Sequence, residues 1–225
     1  MATPFPRLLH THSSPPQTYG LLYKVGWNVV NLERYVKLYL NIEKKCRKNL
    51  LTKFKIYVIL NKKEIMDNKY VFCLANTKDI SAILDLYHSL IGTHGCTWSL
   101  DYPNVDIVNQ DINNNSLYLL KEKNKVISVA AAGISDELEK LHWSTKNPCD
   151  LARIGVLYSM QGKGIGTIML NKVIEAIKKR GFDGIRFLVS KNNPSALALY
   201  NKNGFNICGE TNMYDIEFYC YEMIF

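Results

Sequence analysis

Glycines at alternate positions, Gly162, Gly164 and Gly166, follow Gln161 and interleave with Lys163, Ile165 and Thr167. A backbone stripped of Cβ atoms can turn successive N–H groups onto one anion. Ile165 to Ile174 carry apolar side chains at helical spacing, so the turn opens into a helix N-terminus whose dipole adds to that attraction. A pyrophosphate suits such a cradle. Two common phosphate turns are excluded by spacing. Nothing supplies the Gly-Lys-Ser/Thr of a P-loop, and counting Gly-x-Gly-x-x-Gly from Gly162 ends on Thr167. The pattern that remains is Gln-x-x-Gly-x-Gly.

A second constellation follows. Gly181 can end the helix, and Ile185 to Val189 reads as a strand. Asn193 then suits an N-cap, Pro194 the first helical position and Gly204 a left-handed stop, with Tyr200 inside the helix between them. An Asn, a helical Tyr seven residues later and a Gly-Phe exit, placed after Gln-x-x-Gly-x-Gly, resemble the two hallmarks of the GNAT superfamily of N-acetyltransferases. The resemblance covers roughly residues 69–225.

That resemblance implies a mixed α/β fold: a strongly twisted sheet of roughly six to seven strands flanked by about four helices, behind an N-terminal extension. It also implies acetyl-CoA as co-substrate, held in a V between two parallel strands that splay apart. Matched position by position, Ile154, Gly155 and Val156 would offer main-chain groups to the pantetheine arm and the thioester carbonyl. Gly162, Lys163, Gly164, Ile165, Gly166 and Thr167 would cradle the pyrophosphate. Asn193 would hold the pantetheine, cap its helix, or both. Tyr200 would protonate the departing thiolate, a task that suits a phenol of pKa about 10. A tyrosine packed under the sheet is the plain alternative.

The elements that must position these residues are legible from Met66 onward. Tyr70 to Ala75 reads as a strand, and Asn76 or Thr77 can cap a helix with Ile80, Ile83, Leu84, Tyr87, Leu90 and Ile91 on one face. Asn104 to Ile112 reads as a second helix. Ser116 to Leu120 and Val126 to Ala132 form a hairpin around Lys123-Asn124. Residues 149–157 deliver the glycine turn, and Phe205 to Glu210 with Ile216 to Ile224 close the sheet. The order is βααβββαβαββ. Lys172, Lys178, Lys179 and Arg180 read as a solvated face and basic end of the third helix.

The net charge of +8 is unevenly placed. Residues 1–65 hold 12 Lys/Arg against 3 Glu, and residues 66–225 hold 16 against 17 Asp/Glu. The first segment reads as a basic, poorly ordered extension, or as sequence upstream of a start at Met66; within it, residues 29–60 could form a helix and a short strand, Ile56 to Leu60. The near-neutral remainder argues against nucleic acid as the main partner. No apolar run of about 18 residues speaks for a membrane span. The six cysteines lack zinc spacing, so no metal is expected, and they read as buried, reduced thiols of a cytoplasmic protein. A homodimer is compatible with all of this.

Some members of the superfamily, notably ribosomal-protein N-terminal acetyltransferases, carry a Glu base five residues before the Asn. Leu188 stands there. An amine with a pKa of about 10 must lose a proton before it attacks, so the base would be Glu137, Glu139, His142, Asp150 or a water. This departure turns the expectation toward a small-molecule amine, with a protein N-terminus or lysine as the other acceptor. His94, Cys96, Trp98 and Tyr102, between the first two helices, would wall the acceptor pocket. The contrasting reading is a GNAT-shaped module that binds acyl-CoA as a sensor without turnover.

Overall fold

The computed structural model describes residue 57 and residues 69–225. The extension expected over residues 1–65, and the boundary at Met66, lie outside the described residues apart from Tyr57. That tyrosine is helical where a strand over Ile56–Leu60 is expected.

The described elements run β1 Val71–Leu74, α1 Ile80–His88, α2 Val105–Asn113, β2 Leu117–Glu122, β3 Lys125–Gly133, β4 Pro148–Val156, α3 Ile165–Lys179, β5 Gly184–Ser190, α4 Pro194–Lys202, β6 Asn206–Met213 and β7 Ile216–Ile224. This is the βααβββαβαββ order expected. The strands form one seven-stranded sheet in the order β1-β2-β3-β4-β5-β7-β6. Only β4 and β5 run parallel; the other neighbours are antiparallel. The tight β2–β3 turn places Lys123 and Asn124 at φ 47° and 66°, the left-handed pair that a two-residue hairpin needs.

Both faces of the sheet are covered, so Leu117–Leu120 of β2 and, Ser128 apart, residues 126–132 of β3 are apolar rather than alternating with polar residues. Leu117, Leu119, Val129 and Ala131 face the core beneath α1 and α2. Tyr118, Leu120, Ala130 and Ala132 face the opposite core, with Met169, Leu170, Val173 and Ile177 of α3. Alanines at the centre of β3 keep the helices close to the sheet. Each fully buried Leu, Ile or Met contributes roughly 1.5–3 kcal/mol of burial, so the two layers fix β4 between them.

Arg180 lies at the exposed helix end expected, and its guanidinium also donates to the Tyr118 hydroxyl (3.1 Å) and the Ala132 carbonyl (3.2 Å), tying α3 to β2 and β3. A long arginine can fold back along its own helix, which spacing alone does not reveal. One expectation is corrected: the thiols are not uniformly buried. Cys149 and Cys220 are buried, Cys73 and Cys96 half-buried and Cys208 exposed, all free. Cys208 lies in β6, the sheet's edge strand, where the register slips against β7.

Candidate active site

The site begins where two strands part. β4 and β5 pair only at Pro148↔Gly184, Cys149↔Ile185 and Asp150↔Arg186. Beyond that, β4 stays with β3 and β5 stays with β7. A buried ion pair closes the paired end: Arg186 donates to both carboxylate oxygens of Asp150, and the Ser135 N–H reaches the same carboxylate at 2.9 Å. Burial pushes the Asp150 pKa up, with Arg186 opposing. Past this clamp the facing edges of β4 and β5 have no strand partner among the described residues.

Which main-chain groups face the gap follows from the ladder. The Leu157 N–H donates to the Ile127 carbonyl (2.9 Å), and the Gly155 carbonyl accepts from Ser128 Oγ (2.8 Å). Those positions face β3, so alternation turns the main-chain groups of Ile154 and Val156 toward the gap. Gly155 itself is buried, and a Cβ there would stand 3.0 Å from Leu86, 3.2 Å from Leu90 and 3.4 Å from Trp98. A glycine is what lets α1 and Trp98 close against the strand; it also makes room for Leu86, which is buried although it lies off the stripe expected for α1.

The glycine turn follows a short 3₁₀ segment, Tyr158–Met160. Gly162 and Gly164 adopt φ +70° and +80°, which side-chain-bearing residues rarely accept, and an added Cβ at either would meet nothing within 4 Å. Gly164 caps α3 without a side chain. Among the described residues, no protein group accepts a hydrogen bond from the main-chain N–H groups of residues 162–167. Unpaired donors at a helix N-terminus are an anion site by geometry and dipole. Gly166 has a different reason to be glycine: its Cβ would stand 3.1 Å from Leu199, so it sets the approach of α4 to α3. Gln161 donates to the Val156 carbonyl (3.2 Å) and Lys163 to the Ser159 carbonyl (2.8 Å), which pins the turn. The Ile165 side chain is buried in the core, and the Thr167 hydroxyl accepts from Asn203 (3.4 Å).

Asn193 caps α4, its side-chain oxygen accepting from the Ala196 N–H at 3.0 Å. Its amide nitrogen has no partner among the described residues, so the cap and a ligand contact are compatible. Tyr200 packs its ring against Phe187, centroids 4.4 Å apart, and near Tyr221 at 5.9 Å. Its hydroxyl makes no hydrogen bond among the described residues, yet it is not among the fully enclosed unpaired atoms, of which Thr145 Oγ1 is the one described. The ring is core, and the packed position is the plain alternative expected for this tyrosine. Burial raises its pKa well above the ordinary phenol value.

On the other flank, Trp98 meets Tyr87 edge-on at 4.9 Å. His94 and Cys96, with Thr97, Ser190, Asp215 and Glu217, line an open cavity of about 400 Å³ between the α1–α2 loop and the β6–β7 hairpin. Gly95, at φ +81°, lies so close to Asn193 that a Cβ would stand 2.7 Å from its Cα. The α1–α2 loop thus touches the cap of the helix that carries Tyr200. Of the base candidates, Asp150 has both oxygens occupied, Glu137 accepts from the Tyr214 hydroxyl (2.9 Å), and Glu139 and His142 are exposed on the β3–β4 loop. Leu188, half-buried, occupies β5.

Sequence reasoning missed one cluster. At the centre of β4, two residues oppose one of β3, and Arg153 there adopts φ +48°. Its guanidinium meets Asp111 of α2 through two bonds (Nε–Oδ2 3.0 Å, Nη2–Oδ1 2.7 Å) and donates to the Tyr102 hydroxyl (3.3 Å). An arginine inside an apolar strand was the available signal; nothing local names its partner.

A splayed parallel pair thus feeds a glycine turn, with a capped helix behind it. The chain belongs to the acetyltransferase (GNAT) family, which matches it over residues 83–205. Solved structures share the fold. The ribosomal-protein-S18-alanine N-acetyltransferase of Escherichia coli superposes with a TM-score of 0.54 at 18% identity, over 69% of this chain and 93% of that one. A ribosomal-protein-alanine N-acetyltransferase from Brucella melitensis gives 0.58 at 18% identity, over 69% and 99%. The PaiA N-acetyltransferase of Thermoplasma acidophilum, solved with coenzyme A, gives 0.56 at 16% identity, over 69% and 99%. No curated protein matches the chain by sequence. No described helix is long and apolar enough to cross a membrane, and no described group of three His, Cys, Asp or Glu is placed to hold a metal ion.

Proposed function

We propose that the chain transfers an acetyl group from acetyl-CoA to a primary amine of a small molecule. The observation that carries this reading is the row of unpaired N–H groups over residues 162–167, opening beside the parted edges of β4 and β5. The donors fit a diphosphate, and the gap fits an extended arm that bonds to main chain like a missing strand. Acetyl-CoA supplies an already activated thioester, so the protein's work is positioning and proton transfer.

In this reading, residues 162–167 hold the diphosphate and Lys163 adds positive charge. Val156 and the Asn193 amide hold the pantetheine, and the Ile154 N–H donates to the thioester oxygen as negative charge develops there. Tyr200 donates to the leaving sulfur. Its raised pKa keeps the phenol protonated at neutral pH, so it gives up its proton only as the sulfur becomes a thiolate. The amine enters from the cavity of about 400 Å³, whose open mouth lets solvent take the proton that Leu188 cannot. A cavity of that size accommodates a small amine.

Thiol release from acetyl-CoA, measured with the purified protein across a panel of small amines, tests the reading. At least one amine should accelerate release well above the rate in buffer. Tight binding of CoA with no release for any amine, peptide N-termini included, would favour the sensor instead.

A further inference from the structure

We infer that Arg153 and Asp111 form a positioning pair that fixes the bulge in β4 and thereby aims the Ile154 N–H at the thioester oxygen. This rests on the acyl-transfer reading above and adds to it the side chains that hold the main-chain donor in place. The starting observation is conformational. A residue with a Cβ at φ +48° in mid-strand persists only where its surroundings over-determine it, and such outliers cluster at working sites.

Three groups determine this one. Asp111 grips the guanidinium through two bonds, and the Tyr102 hydroxyl accepts a third from it. The Tyr87 hydroxyl of α1 donates to the Arg153 carbonyl at 3.3 Å. That last bond matters most for direction. In a trans peptide the carbonyl of residue 153 and the N–H of residue 154 point opposite ways. Holding the carbonyl on Tyr87 therefore turns the Ile154 N–H away from α1, on the strand edge that β5 has left. The pair is mostly buried, with side-chain exposures of 18% for Arg153 and 10% for Asp111, so water does not compete strongly for it. Arginine suits the task because its planar fork makes two fixed bonds to a carboxylate. Through Tyr102, the same guanidinium also joins the acceptor-side loop to the strand.

The test compares acetyl-CoA with CoA, which lacks the thioester carbonyl, and so needs no acceptor. Affinities of both are measured by calorimetry for the full chain and for Asp111→Asn, Arg153→Gly and Tyr87→Phe. Arg153→Gly keeps the left-handed backbone accessible while removing the anchor. Tyr87→Phe removes a single oxygen and keeps the test alive if the others fail to fold. Infrared spectra of bound acetyl-CoA labelled with ¹³C at the carbonyl report polarisation of that bond directly.

The wild type should prefer acetyl-CoA and shift its carbonyl band to lower frequency. Asp111→Asn and Arg153→Gly should lose about fivefold of that preference, the size of one hydrogen bond, and return the band toward its position in water. CoA affinity should stay within about twofold. Wild-type preference and band position in all three variants would overturn the proposal, whatever happens to Tm. So would equal losses for CoA and acetyl-CoA, which would make the pair a general brace. A wild type that binds neither would instead bring down the acyl-transfer reading beneath it.

Discussion

One flank of β4 presents main chain drawn from a single stretch, residues 154–167, while the other presents side chains gathered from the α1–α2 loop, α2, the β3–β4 loop and the β6–β7 hairpin. On the first flank the proposed chemistry rests on N–H groups that every residue but proline possesses, and the sequence need only state where Cβ atoms are absent. On the second, Asp111, Arg153, Tyr102, Trp98 and the cavity residues meet only because the sheet brings them together. A site made of backbone is encoded locally and tolerates varied side chains. A site made of side chains depends on long-range contacts and can change its ligand by changing a loop.

The largest expected effect would break the backbone flank. In Gly164→Glu a carboxylate opposes the diphosphate, and like charges so placed cost several kcal/mol, or about 10²–10³-fold in CoA affinity. The left-handed φ of +80° adds strain of roughly 1–2 kcal/mol, so circular dichroism should accompany calorimetry. A folded variant that binds CoA normally would remove the diphosphate from this turn.

Tyr200→Phe comes next and bears on the joint between the two flanks. Turnover should fall by about 10²-fold while CoA affinity stays within about twofold. Stability should barely change, because the lost hydroxyl has no partner. Since burial raises the pKa of the phenol, it remains the protonated donor as pH climbs. A pH series of thiol release should therefore show no alkaline fall owed to Tyr200 below about pH 10.

Gly155→Ala sharpens the contrast from the acceptor side. The new methyl group would press on Leu86 and Leu90 at 3.0 and 3.2 Å, an overpacking that costs about 1–3 kcal/mol. Thermal unfolding should reveal it, and the KM for the amine should rise more than the Kd for CoA. Were CoA binding the more damaged, β4 would not divide the site as described. The smallest effect belongs to Lys163→Ala. This exposed side chain already donates to Ser159, so CoA affinity should fall less than about tenfold, with the difference shrinking as salt is raised.

Glycine placement, capping residues and the apolar periods of 2 and 3.6 made the element order and the backbone turn readable, because each depends on neighbours within about seven residues. Asn193 and Pro194 announced α4, and Gly162 and Gly164 announced the bend before α3. Spacing did not show that Arg180 also reaches Tyr118, or that Gly166 also sets the approach of Leu199. In both cases the deciding contact, Tyr118 or Leu199, lies more than thirty residues away. The bulge at Arg153 left only the oddity of a charge within an apolar strand.

By itself, then, the order of residues determined which segments become strand or helix and where backbone donors would be left bare. Only the tertiary structure decided that β4 and β5 part just beyond Asp150 and Arg186, that Tyr200 packs its ring on Phe187 in the core, and that Asp111 reaches Arg153. Local propensity acts through bonds a few residues long. Pairing between strands and helices is chosen by burial and charge compensation across the whole sheet, and those energies exist only once the distant partners are in place.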